Sequence, residues 1–159
     1  MKSLTILRNK TFNVGEEKDM HYNACVGNNG PVGKRGYGAG FAKGANLLLA
    51  ELVKDESAAT VDTLIYPIFF SAQHSIGLFL KDQIERMRSL RLTAPQSTVS
   101  STHDLSNLWG EFARVAVATD RRFSDYVNRL ADCISDFAEI APTGQTFRYP
   151  DDKEIRGTL

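Results

Sequence analysis

Apolar and polar residues follow a helical period over most of this chain. The longest run is Val61 to Leu90, VDTLIYPIFFSAQHSIGLFLKDQIERMRSL, with no internal loop signal. At ~100° per residue, Val61, Ile65, Ile68, Phe69, Ala72, Ile76, Phe79, Leu80, Met87 and Leu90 fall within roughly a third of the circle, the width of a core-facing stripe. Such a helix spans about 45 Å at ~1.5 Å per residue and is long enough to be the spine of a domain. Thr60 or Asp62 is its expected N-cap, and Pro67, beyond the first turn, removes one backbone hydrogen bond.

Three shorter helices accompany it. Phe41, Ala45, Leu48, Leu49 and Leu52 predict a helix over about 39–54, ended by the polar KDESAAT. Ser101-Thr102-His103-Asp104 has the spacing of a capping box and opens a third, with Leu105, Leu108, Trp109, Phe112 and Ala116 on its core face. Between about Asp120 and Ile140 the steps from Phe123 through Val127, Leu130, Ile134, Phe137 and Ala141 alternate four and three, the most heptad-like stretch in the chain. Residues 91–100, RLTAPQSTVS, read as a linker. The expected fold is therefore all-α, an antiparallel bundle of about four main helices.

The first 38 residues have a different character. Residues 4–14 alternate imperfectly, as a short strand or an extended arm would. From Gly27 to Gly40 six glycines disfavour a continuous helix or strand. The expected organisation is an N-terminal arm with a glycine-rich loop over 1–38 and the bundle over 39–159. In the polar tail QTFRYPDDKEIRGTL only Phe147 and Tyr149 offer apolar surface to dock an extended segment.

Nineteen Lys and Arg balance nineteen Asp and Glu, so no whole-molecule field steers the chain toward nucleic acid or membrane. Cys25 and Cys133 lie far apart, which fits reduced thiols in the cytoplasm better than a disulfide framework. The N-terminus lacks the apolar core of a signal peptide, and no stretch reaches 18 uninterrupted apolar residues, so no membrane partner is expected.

Few residues point to chemistry. GNNGPVGKRGYG departs from a phosphate-binding loop: five residues separate Gly27 from Gly33, and Arg35 follows Lys34 where a hydroxyl residue is required. No HxxxH, CxxC or HExxH spacing occurs, so neither metal nor cofactor is expected. His74 falls near 220° counted from Val61 at ~100° per residue, with Thr63, Lys81, Glu85 and Arg88 and away from the stripe. There it is either solvated or lines a groove or subunit contact, available for proton transfer near neutral pH. His103 has an ordinary role at a helix start, and His21 lies in the loop. Lys81, Arg88 and Arg91 form the basic run best placed to contact phosphates.

YNACVGNNG, DTLIYPIFFSAQHSIGLFLK, HDLSNLW and FRYPDD together resemble bacterial proteins related to the HEPN superfamily of all-helical domains, over most of the chain. That resemblance implies a helical bundle that dimerises. Many such domains are metal-independent RNases of toxin–antitoxin and antiphage systems, and others are inert binding modules. The matching positions are His74 on the spine, His103-Asp104 with Leu105 and Trp109, and Phe147-Arg148-Tyr149-Pro150; carried over, they make His74, His103 and Arg148 the catalytic candidates. The sequence departs from the nuclease signature, an arginine followed four to six residues later by a histidine, which it nowhere contains. Where relatives carry Arg-His and then a glutamate, it has Gln73, His74 and Gly77. The expectation is a non-catalytic interaction or sensor module of a bacterial defence or toxin–antitoxin system, homodimeric, with a protein partner from the same operon. The alternative is a dimeric, metal-independent endoribonuclease, with RNA as substrate, His74 as acid/base and Arg88 or Arg148 stabilising the phosphate as a 2′-hydroxyl attacks.

Overall fold

The computed structural model describes residues 32–89 and 102–141. They form four helices: α1 (Lys34–Leu52), α2 (Ala58–Ser89), α3 (Leu105–Thr119) and α4 (Phe123–Ile140). No strand occurs among the described residues, and the fold is an all-α bundle. The four helices all belong to one unit of the chain, which begins at Gly33. The expected arm over 4–14, the linker over 91–100 and the tail with Phe147 and Tyr149 lie outside the described residues.

α2 is the spine, and its two sides serve different neighbours. One side packs on α3 and α4: Leu80, Ile84, Leu105, Leu108, Ile134 and Ala138 make the core, edged by Ile76, Trp109, Phe112 and Phe137. The other side receives α1. The α1–α2 hairpin turns through a short polar segment in which Asp55 accepts from the Ser57 amide and the Thr60 hydroxyl, at 3.1 and 2.6 Å. The Ser57 hydroxyl in turn accepts from the Thr60 amide at 3.4 Å, so α2 begins at Ala58, earlier than Thr60 or Asp62 as N-cap implies. At the far end of the hairpin, Lys34 Nζ reaches both carboxylate oxygens of Glu85, at 2.6 and 2.7 Å.

α1 starts at Lys34, inside the stretch whose glycines predict a loop. Each interior glycine disfavours a helix by about 1 kcal/mol relative to alanine, so packing must offset the penalty. At Gly38 it does: a Cβ there would lie 3.4 Å from Leu78 Cβ and 3.5 Å from the Ser75 carbonyl. α1 and α2 therefore pass so close at Gly38 that even a methyl group there would touch α2.

The buried stripe of α2 is also rotated from the expected one. Gln73, Leu80 and Ile84 are its buried residues, whereas Ile65 and Phe79 are about half exposed. On the wheel the observed centre lies roughly 80° from the predicted one. Gln73 tolerates burial because its Nε2 donates to the Ala141 carbonyl at 2.6 Å, which ties the end of α4 to the middle of α2. α2 runs through Pro67 without a break. By length and composition alone it is apolar enough to cross a membrane, yet only 11% of its most apolar window is buried by the rest of the chain.

α3 follows its predicted core face closely, since Leu105, Leu108 and Ala116 are buried and Trp109 and Phe112 edge the core. Its cap differs in detail from the capping box. Asp104 is the N-cap and accepts from the Asn107 amide at 2.9 Å, while Thr102 Oγ1 accepts from the Asp104 amide at 3.1 Å. A short turn through Asp120–Arg122 leads into α4.

α2 and α3 are cross-linked by Arg88, whose Nη2 lies 2.8 Å from Glu111 Oε1; Arg114 grips the same carboxylate at 2.7 and 3.0 Å. The bond from Arg114, followed by that from Arg88, holds the Glu111 carboxyl below its ordinary 4.5 against the opposing effect of burial. A depressed folded-state pKa contributes stability that is complete above about pH 4.5 and is lost as pH falls through the folded value. Glu111→Gln is therefore expected to lower stability by about 2 kcal/mol at neutral pH. It should also flatten the acid limb of a stability–pH profile measured by urea unfolding; an unchanged acid limb would show that the carboxylate contributes nothing there.

Candidate functional site

A small recess of about 70 Å³ opens where the middle of α2 meets the segment leading into α3. Its lining includes Gln73, His74, Gly77, Lys81, His103 and Leu108. Two structural features create it. Gly77 offers no side chain opposite Leu108, whose Cδ1 lies 3.9 Å from the point a Cβ would occupy. The Asp104 cap then fixes the entry of the chain into α3, so that His103 precedes the first helical turn directly over the His74 turn of α2.

His74 is half buried. Its ring meets Phe41 of α1 edge-on at a centroid distance of 4.4 Å and stacks on Phe70 at 5.8 Å, with 9° between planes. The imidazole is thus clamped by two aromatic rings while it lines the recess, neither free in solvent nor sealed in the core. Burial, and after it the neighbouring Lys34 cation, lower the Lys81 ammonium below its ordinary value, with Glu85 opposing. His103 is exposed at the rim.

Three of the six residues singled out from the sequence therefore converge: His74, Lys81 and His103. Arg88 does not line the recess and is engaged with Glu111 across the α2–α3 contact. Arg91 and Arg148 lie outside the described residues. The chain leaves the described region at Ala141, whose carbonyl is held by Gln73 on the recess wall. Sequence reasoning missed Gln73 and Glu111. For Gln73 the sequence carries no signal, because it lies beside the predicted apolar stripe and its backbone partner is 68 residues away.

Chemically the recess offers two imidazoles and an ammonium around a volume that fits a small anionic group. No three metal-ligating side chains gather among the described residues.

A second concavity is larger and of opposite character. It lies between α1 and α4, encloses about 500 Å³ and is almost wholly apolar, with Ile76, Leu80 and Trp109 in its floor, Phe79 at its edge and Leu130 and Ile134 on one wall. Two of its lining residues, Phe79 and Leu130, are among the exposed large apolar side chains of α2 and α4. On α4, Tyr126, Leu130 and Ile140 are 62%, 50% and 45% exposed, and on α2 Ile65 and Phe79 are exposed to a similar degree. These α4 residues lie on the wheel beside the buried Ile134 and Ala138, so the apolar band of α4 is wider than the part its neighbours bury.

Comparison with protein-family models, with curated proteins and with solved structures finds no match to this chain.

Proposed function

We propose that this chain is a non-catalytic, HEPN-like interaction or sensor module of a bacterial defence or toxin–antitoxin system, and that it associates with a second copy of itself and with a protein partner from the same operon. The system is argued from the resemblance alone. The interaction role is carried by one observation, the exposed apolar strip of Ile65, Phe79, Tyr126, Leu130 and Ile140. Isolated exposed apolar residues need no explanation, whereas exposed apolar residues recurring on two helices, with Phe79 and Leu130 meeting at one groove, support a surface that another molecule covers.

The ribonuclease reading is favoured by a different observation, the meeting of His74, Lys81 and His103 at one recess. In that reading His74 moves the proton of an attacking 2′-hydroxyl while Lys81 stabilises the developing phosphate charge. Against it stand the aromatic clamp on His74, which limits the approach of a nucleotide, and the commitment of Arg88 to Glu111. A purified full chain incubated with single-stranded RNA in EDTA separates the two. The module reading predicts no cleavage above background. Cleavage that disappears in His74→Ala and persists in a folded His21→Ala control would overturn it and establish the alternative.

A further inference from the structure

We infer that the apolar groove between α1 and α4 is a binding site for a long-chain carboxylate, an acyl chain with an anionic head. The inference deepens the sensor side of the reading above by naming what is sensed. The groove's volume, about 500 Å³, lies in the ~300–1,000 Å³ range of small-ligand sites, and its lining has the usual composition of such sites, mostly apolar with few polar groups. Phe79, Leu80, Trp109, Leu130 and Ile134 supply the apolar surface, and among the described residues of the lining Arg35 alone is charged.

The charge at that end of the groove selects the head group. Arg35 stands in the first turn of α1, and among the described residues no carboxylate pairs with it. Lys34, beside it, is committed to Glu85, and Lys81 lies close enough to Lys34 to feel its charge. Lys34 and Lys81 thus share the one carboxylate of Glu85, and among the described residues Arg35 has none. The first turn of α1 holds no acidic residue, and its N-cap, Gly33, has no side chain to cap the free amides. A ligand with an alkyl tail along Trp109 and a carboxylate at Arg35 satisfies both ends. A neutral lipid leaves the cation unanswered, and a free phosphate leaves the apolar floor in water.

Leu130 and Phe79 belong both to the lip of this groove and to the exposed strip. An acyl chain seated beneath them changes the surface offered to a partner, which links ligand to association.

Trp109 is the only tryptophan in the chain and lines the groove, so its emission reports occupancy directly. Titrating the full chain with dodecanoate below its micellar range is expected to give a saturable blue shift. Arg35→Ala, at an exposed position that leaves the core intact, should weaken dodecanoate about fivefold, the size of an exposed charge pair, and leave dodecanol unaffected. Ala39→Phe, which fills the groove from α1, should abolish the response to both. No shift in the wild-type protein, or an equal response in Arg35→Ala, overturns the proposal. So does emission that changes with protein concentration alone, which would make a second copy the occupant. Light scattering on the same samples keeps the two readings apart: a monomer that binds dodecanoate fails the self-association reading only, and a dimer that does not bind it fails this inference only.

Discussion

Leu80→Ala is expected to lower the free energy of unfolding by about 3 kcal/mol, and Phe79→Ala, one residue earlier, by less than about 1 kcal/mol. The two side chains are similarly apolar and adjacent on the same helix, so composition alone predicts no such contrast. Their environments do. Leu80 is 1% exposed and touches the shared core of α2, α3 and α4, where removing its methyl groups leaves a cavity that the surrounding helices fill only partly. Phe79 is 52% exposed at the edge of the groove and loses little when truncated. Urea unfolding followed by circular dichroism measures both. Equal losses, or a larger one at Phe79, would place the buried face of α2 where the apolar periodicity puts it and would contradict the rotation seen in the structure.

The second large effect concerns association. Leu130→Glu is expected to weaken self-association by more than about 100-fold, because it sets a carboxylate in the centre of the apolar strip, where it must lose its water without gaining a partner. Leu130 is half exposed in the single chain, so the same substitution should leave monomer stability within about 1 kcal/mol. That pairing of a large effect on association with a small one on folding distinguishes an interface residue from a core residue. A variant that unfolds instead would show that Leu130 belongs to the core.

The sequence made much of the architecture legible because helical periodicity is a local property. The four helices lie close to their expected spans, and every predicted core position of α3 is buried or edges the core, since that helix has neighbours on one side only. Errors arose where distant residues decide. Gly38 reads as a helix breaker until its close packing against Leu78 and Ser75 of α2 is seen. Gln73 reads as polar surface until the Ala141 carbonyl supplies its hydrogen bond. With an amide placed inside, the stripe turns and leaves Ile65 and Phe79 outside. For the site, periodicity located His74 off the main stripe but gave no sign of Phe41 and Phe70 closing on it. His103 was known as a helix start, yet only the packing of α3 beside Gly77 brings it to the same recess as His74 and Lys81.

Association through the strip is tested most directly by the molar mass of the full chain in solution, measured by size-exclusion chromatography with light scattering across micromolar concentrations. A dimer of about 35 kDa, twice the 17.6 kDa chain, that falls to the monomer mass in Leu130→Glu is the predicted result. A wild-type mass of 17.6 kDa at every concentration would contradict it.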